Sequence, residues 1–478
     1  MAPYKQQASQ RRWPIFGRSI AALVASTGLA APHVGAQGVP PPITRVSMND
    51  AVRLALERNQ TLRGQRLTID ESKADETTAA LKPNPGFSFE ADGLPIFSPR
   101  TINTDFLRHD VTYNTTLNYT FERGGKRQKR TTVAEDTTEV TRRNVIDLER
   151  QLRFQAEQGF INALLAKSTL ELAQQNLQSY SEVVELNRQR VTAGDLAQGD
   201  FYRISLQKLQ FEQDLSAAQI GLVQAKASLR QLMGFETIAD DFEIEGDLSF
   251  APHTLDLEDL KRQAVENRPD VQAARVGVKL AQDAAALEQG NRARDLGGDV
   301  SYSHLGPDNV FGVGFSIDLP IHDRNQGNIA RTEIAVRQAI ETDTATRFMA
   351  ITDVVNAFAG FTTNQKIVNL YESGYLDQAR QSLEITTYVY QHGAGSLLDL
   401  LDAQRTYRET ELAYRAALAA YMTSLRQLNF AVGRQVIPWV SRCRRASSST
   451  RSSINCASRA ATSPARRTKR RSCACGRS

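Results

Sequence analysis

The sequence predicts a mainly α-helical chain with a small β part, in which one structural unit is written twice. Three observations carry this expectation. Apolar residues recur every three and four positions over stretches of sixty residues and more; four short stretches alternate strictly between apolar and polar; and residues 37–437 match themselves at an offset of about 200 residues.

The chain has 478 residues and a formal charge of +5, which misrepresents its body. Residues 438–478 carry eleven Lys and Arg and no acid, and residues 1–36 carry four and no acid, so residues 37–437 fall from +5 to −10. An acidic body does not suit nucleic acid. Residues 1–36 read as a secretory signal peptide, with Lys5, Arg11, Arg12 and Arg18 before the apolar IAALVASTGLAA and the small residues Val34-Gly35-Ala36. All four cysteines lie in residues 438–478, a Ser- and Arg-rich tail without hydrophobic period that is expected to be disordered. No other apolar run reaches 18 residues, so any membrane crossing is expected to be made by strands.

The two copies of the unit span residues 37–235 and 236–437. LALERNQ (54–60) answers to QAVENRP (263–269), YTFERGGKRQ (119–128) to IDLPIHDRNQ (317–326), VTAGDLAQGD (191–200) to YQHGAGSLLD (390–399) and ASLRQL (227–232) to TSLRQL (423–428). Each copy opens with a helix, near 48–80 and 256–290. Two strands follow, near 87–92 and 111–121 in the first copy, near 299–305 and 310–319 in the second. In VTYNTTLNYTF, Tyr113, Leu117, Tyr119 and Phe121 alternate with Thr112, Asn114, Thr116, Asn118 and Thr120; in VFGVGFSIDL, Phe311, Val313, Phe315 and Ile317 alternate with Gly312, Gly314 and Ser316. Long helices near 127–190 and 324–390 follow, each reaching about 100 Å at 1.5 Å per residue. Leu170, Ala173, Leu177, Tyr180, Val184, Asn187 and Val191 mark the heptad seam of the first. Gly194 and Gly393 supply the positive φ that ends each helix, and helices near 200–232 and 397–432 complete the units.

Four strands do not close a barrel, and an open edge in lipid leaves backbone groups unsatisfied at a cost of several kcal/mol each. Two chains would give eight strands and three chains twelve; only the larger barrel leaves an open lumen. A half-buried sheet on a soluble core alternates in the same way. On the barrel reading Tyr113, Leu117, Tyr119, Phe121, Phe311, Val313, Phe315 and Ile317 face lipid, the strands cross the membrane, and the helices they feed cross the space beneath it. RGGKRQKR (123–130) then sits where lipid phosphates lie, or begins a solvated helix.

On VTAGDLAQGDFYRISLQKLQFEQDL and YQHGAGSLLDLLDAQRTYRETEL the chain strongly resembles the outer-membrane efflux protein (TolC) family, in order over residues 45–433. FERGGKRQ and LPIHDRNQGNIA resemble its cobalt-zinc-cadmium resistance branch. The resemblance implies a homotrimer with a twelve-stranded outer-membrane β-barrel continued by a long α-helical periplasmic tunnel, docked to a periplasmic adaptor (membrane fusion) protein and an inner-membrane RND-type pump. It implies a passive exit duct, heavy-metal cations being the first expected cargo and drugs or secreted proteins the alternative. By the same resemblance Asp399 and Asp402 form the periplasmic pore gate, and Tyr390 holds it shut by bonding Asp200. Where the family often carries an arginine two residues after the turn glycine, this chain has Gly395. Spacing alone puts Asp399 and Asp402 on one helix face; without the resemblance, Asp399 reads as a helix N-cap and Asp402 as a first-turn acid. Leu196, Leu397 and Leu398, beside the turns, are candidate adaptor contacts. No catalytic motif, metal-ligand spacing or cofactor loop appears, so no enzyme, metal site or cofactor is expected. A secreted coiled-coil scaffold would explain the heptads but not four matched strands.

Overall fold

The computed structural model describes residues 43–94, 102–235 and 238–437. The expected signal peptide and the basic tail lie outside the described residues.

The chain is mainly helical with a small sheet part. The first helix near 48–80 is two helices, α1 (Met48–Arg58) and α2 (Gln60–Ala80), meeting at Asn59. Ser47 and Asp50 form a capping box at the head of α1. Asn59 leaves the helical region at φ −59°, ψ 120°, while its side chain accepts from the Leu62 amide and so starts α2. Its counterpart, Arg268 before Pro269, separates α6 (Leu257–Asn267) from α7 (Pro269–Asn291) for a different reason: the residue before proline is driven out of the α region. Three elements escaped the sequence reading. Strands β1 (Ile43–Val46) and β4 (Ile238–Ile244) pair in parallel, and α3 (Thr104–His109) lies between the first two long strands.

Those long strands are β2 (Gly86–Asp92) and β3 (Thr112–Phe121), with β5 (Leu296–Leu305) and β6 (Asp308–Ile317) in the second half. They form one antiparallel sheet in the order β2-β3-β5-β6, joined at its centre by β3 and β5. Its register aligns the alternation across all four strands. One face carries the rows Phe87–Leu117–Val300–Val313 and Phe89–Thr115–Tyr302–Phe311; the other carries Gly86–Asn118–Asp299–Gly314 and Ser88–Thr116–Ser301–Gly312. Val111, read as part of the strand, lies just before it and is buried.

From β3 the chain enters α4 (Lys126–Ala193), 68 residues without interruption. Gly194, at φ 84°, ends it, and α5 (Gln198–Met233) returns. The second long helix differs from the expected continuous 324–390: α8 (Gln326–Leu370) and α9 (Leu376–Gln391) are separated by a π turn over Tyr371–Tyr375, because Gly374 takes φ 126°. After the turn at Gly393, α10 (Leu397–Val432) runs back unbroken.

These helices lie side by side as a layer. Near the sheet the order is α2-α4-α7-α8, tied by Arg66 to Glu149 at 2.6 Å and by Arg143 to Gln272 at 2.7 Å. Toward the turns it is α5-α4-α10-α9. Between the two zones lies the main core, where Phe160, Phe242, Phe361, Leu428 and Met233 are fully enclosed. At every level the outermost elements are the same: β2, α2 and α5 of the first half on one side, β6, α8 and α9 of the second half on the other.

Candidate functional site

The two Gly turns lie together. Tyr180, Ile204 and Phe211 form a small buried cluster with Leu177, Val184, Leu196, Leu397 and Leu401 around it, so α4, α5 and α10 share one apolar contact at their ends. Tyr180 and Phe211 stack at 4.5 Å, and the Tyr180 hydroxyl donates to the Ile204 carbonyl at 3.0 Å. Leu196 and Leu397 are thus committed to packing, and of the three flanking leucines only Leu398 projects, 76% exposed.

Tyr390 does not bond Asp200 as expected. Its hydroxyl donates to Asn187 Oδ1 at 2.5 Å. Asn187 is fully buried, and a buried amide must find partners; its nitrogen donates to the Val183 carbonyl at 2.7 Å, which leaves the oxygen for Tyr390. Asp200 instead sits in the first turn of α5, where the helix dipole favours an acid, 3.6 Å from Arg203. Burial pushes the Tyr390 hydroxyl above its ordinary pKa, with Arg190 and the Asn187 bond opposing and the Asp200 charge adding to the rise. The Arg190 guanidinium lies over the Tyr390 ring at 5.3 Å. Tyr390 is therefore a neutral donor at neutral pH, locking the second-half limb α9 to the first-half helix α4. Sequence reasoning missed Asn187 as this partner, although its place in the heptad seam was visible: one amide among apolar seam positions is a known device for fixing register.

Ser396 caps α10, its hydroxyl accepting from the Asp399 amide at 3.1 Å, so Asp399 is a first-turn residue and not the cap itself. Asp399 is exposed, and Asp402, one turn on, is exposed and bonded to Arg405 at 2.7 Å. Leu400 between them is buried, so the two carboxylates point away from the packed side. Gly395 is explained locally: a Cβ there would come 3.1 Å from the Tyr390 amide nitrogen and 3.2 Å from the Val389 side chain.

At the other end, Leu117, Phe121, Phe311, Val313, Phe315 and Ile317 stand exposed on one sheet face, Phe311 and Phe315 at 76%. Tyr113 and Tyr119 are half-buried on the same face, Tyr113 between the rings of Phe89 and His304, Tyr119 edge-on to Phe121 at 4.8 Å. On the opposite face the charged residues among those described are Glu90, Asp92, Asp299 and Asp308, all acidic. Gly314 leaves the room in which the Asp299 carboxylate lies, since a Cβ would sit 2.7 Å or less from both its oxygens. Below the sheet, RGGKRQKR is partly used up internally: Lys126 bonds Asp295 at 2.8 Å, and Arg130 bonds Glu122 and the Ala79 and Leu81 carbonyls. Those two cations hold the sheet to the helices.

Among the described residues no group of three or more His, Cys, Asp and Glu could hold a metal ion. No described helix is long and apolar enough to cross a membrane, which leaves the strands untouched by that criterion.

Comparison with known proteins bears on the same architecture. Cobalt-zinc-cadmium resistance protein CzcC of Cupriavidus metallidurans is 24% identical over 395 residues, 81% of this chain and 90% of its own. Crystal structures of CusC, whose report concerns folding and transmembrane channel formation, superpose with a TM-score of 0.68 at 19% identity, covering 81% of this chain and 92% of theirs. The open-state MtrE outer membrane channel of Neisseria gonorrhoeae does so at 0.68 and 20% identity, over 81% of this chain and 89% of its own. The sequence profile of the outer membrane efflux proteins matches residues 51–235 and 260–434, the two halves in turn. A sheet with one apolar face, a layer of helices fed by it and two matched halves thus meet in one assignment: the chain belongs to the outer membrane efflux protein family.

Proposed function

We propose that this chain is the outer-membrane exit duct of a tripartite efflux system, a passive channel through which a pump in the inner membrane expels its cargo. The observation that carries the reading is the set of open edges. The sheet ends in unpaired β2 and β6, the helical layer ends in α2 and α5 on one side and α8 and α9 on the other, and the elements on each edge all come from one half of the chain. Such a wall is complementary to the opposite edge of its own copy, a head-to-tail contact that closes a ring. Exposed apolar side chains occur on both helical edges, Tyr202, Leu206 and Leu209 on α5, Ile385 and Tyr388 on α9 and Tyr375 in the π turn before it. Three copies give twelve strands, enough for an open lumen, with the internal repeat making six similar segments of wall. Residues 1–36 export the chain as a signal peptide, 37–235 and 236–437 are the two duct repeats, and the apolar face led by Phe311 and Phe315 meets lipid.

Asp399, Asp402 and Asp200 with Tyr390 form the periplasmic gate, Asn187 being the latch partner, and Leu398 reaches the adaptor. Heavy-metal cations are the cargo this reading favours. The relative CzcC is named for cobalt, zinc and cadmium resistance, and the uniformly acidic polar face of the sheet suits cations, as rings of acids do in cation channels. The energy comes from the RND-type pump.

The test is purification of the full-length chain from envelopes. A detergent-requiring, heat-resistant trimer that conducts in planar bilayers is expected; a water-soluble monomer overturns the reading. Replacing Asp399 and Asp402 with Ala is expected to raise closed-state conductance and weaken cation preference, and unchanged current and selectivity would remove them from the gate.

A further inference from the structure

Between the apolar cluster at the turns and the main core, α4, α5 and α10 do not close against one another. They leave a cavity of about 630 Å³ whose deepest lining residues, Leu172, Ala173, Phe211 and Ala218, are buried. The room comes from small side chains: Ala166 and Ala173 line it from α4, and Ala218, Gly221 and Ala225 line it from α5. Phe211, Asp214, Ala218, Gly221 and Ala225 recur every three and four residues, so they lie on one side of α5. Gly221 stands inside that helix without a positive φ, at a place where glycine is disfavoured against alanine. A Cβ there would meet nothing within 4 Å, so neither backbone nor packing asks for glycine, and its effect is to keep the cavity wide.

The charges at the cavity are unequal. Asp214 accepts from Arg408 at 2.9 Å and from Gln210 at 2.8 Å, and the Arg408 guanidinium lies over the Phe211 ring at 5.4 Å. Asp214 and Arg408 therefore satisfy each other across α5 and α10. Glu409, beside them on the lining, is exposed and forms no ion pair or hydrogen bond among the described residues. The cavity is thus apolar within and carries one uncompensated charge, which is negative. Pockets of about 300–1,000 Å³ with such a lining hold organic molecules. A bare metal ion finds no second carboxylate, imidazole or thiolate free to bind it here, so the complement is a molecule with an apolar body and a positive charge.

Neither neighbouring copies nor the rest of the wall need cover the cavity. The exposed Tyr202, Leu206, Leu209, Ile220 and Val223 recur at heptad spacing on the opposite side of α5, and a second copy seated on that stripe leaves the cavity side free. On α10, Asp402, Arg405, Glu409 and Leu412 follow one another in steps of three and four and share one side. If Asp402 faces the pore, as the gate reading above holds, the mouth beside Glu409 and Leu412 opens into the duct.

We propose that the cavity between α4, α5 and α10 is a binding site for an amphipathic organic cation in the luminal wall of the duct. The pocket itself rests on α4, α5 and α10 alone; its luminal placement rests on the gate reading. A molecule seated there narrows the passage, so the same site is both a station for organic cargo and a place at which a tight-binding cation blocks the duct.

The test uses the full-length, detergent-solubilised protein and ethidium, a planar aromatic cation whose fluorescence rises in apolar surroundings. Saturable binding is expected. Gly221→Leu, which fills the cavity with a good helix former, is expected to weaken it at least about tenfold, and Ala217→Leu at the rim serves if that variant fails to assemble. Glu409→Gln is expected to weaken ethidium about threefold while leaving the neutral N-phenylnaphthylamine unchanged. Ethidium binding that is equal in wild type and in intact cavity-filled variants overturns the site and leaves the duct reading standing. In planar bilayers, saturating ethidium is expected to lower the wild-type current by about half, and Gly221→Leu to remove the block. Binding that depends on the cavity without any block overturns the luminal placement, and the pore-facing assignment of Asp402 with it. A protein that forms no channel at all refutes the duct, and the binding measurements then decide the pocket independently.

Discussion

The four-stranded sheet and the central helical core use the same side chains to opposite ends. Phe160, Phe242 and Phe361 are at most 2% exposed in the core, whereas Phe311 and Phe315 on β6 are 76% exposed. Burying a phenylalanine is worth about 1.5–3 kcal/mol, so a whole face of such residues left to water would forgo more than the net stability of an ordinary domain. The core solves the problem inside one chain. The sheet, whose two edges are also unpaired, leaves it for another phase and other copies, which is the physical content of the proposed barrel.

Substitutions can break this contrast at either end. The largest stability loss is expected for Phe361→Ala, about 3–5 kcal/mol from lost burial and the cavity left behind, read as a drop in the melting temperature of the detergent-solubilised trimer. Phe315→Arg on the proposed lipid face should cost about 2–4 kcal/mol per chain and lower the yield of inserted trimer, while Ser316→Arg, one residue on and on the opposite face, should leave insertion intact and alter ion selectivity. Equal effects of the two arginines would refute the facing.

Smaller, and sharper about the core, is the Arg268 network. Burial alone would raise the pKa of Asp270, but the Arg268 bond at 2.6 Å, the Arg268 charge and Arg150 outweigh it and hold it below the ordinary value of 3.8. A depressed folded-state pKa contributes stability above the unfolded value, lost as pH falls through the folded one. Asp270→Asn should therefore cost about 1.5–3 kcal/mol at pH 7, and the difference from wild type should shrink once the pH drops below 3.8. A pH-independent difference would assign the loss to packing. The smallest effect is expected for Asp402→Ala alone, about 0–1 kcal/mol, because its pair with Arg405 is exposed; its consequence belongs to selectivity.

Reading along the chain located the strands because a period of two is local, and the register observed across β2-β3-β5-β6 keeps the expected rows together. The parallel pair β1–β4 was not legible, since its partners are nearly two hundred residues apart and each is short. Nor was the π turn: Glu372-Ser373-Gly374 interrupts an otherwise good helical pattern, and a single glycine in a helix is often tolerated.

At the site, local pattern determined the two Gly turns, that α10 begins within a few residues of Asp399, and the presence of a polar residue in the α4 seam, because capping and helical phase depend on neighbours within a few residues; it misplaced the cap by three residues, at Asp399 instead of Ser396. Which partner Tyr390 takes was decided only by tertiary structure. Asn187 and Asp200 are both within its surroundings in the fold, and the choice fell to the side chain that burial had left with an unfilled acceptor. The same holds for the open edges: the amino-acid order supplies strands and helices, but only their packing puts β2, α2 and α5 of the first half on one border and β6, α8 and α9 of the second half on the other, since long-range contacts alone set lateral order.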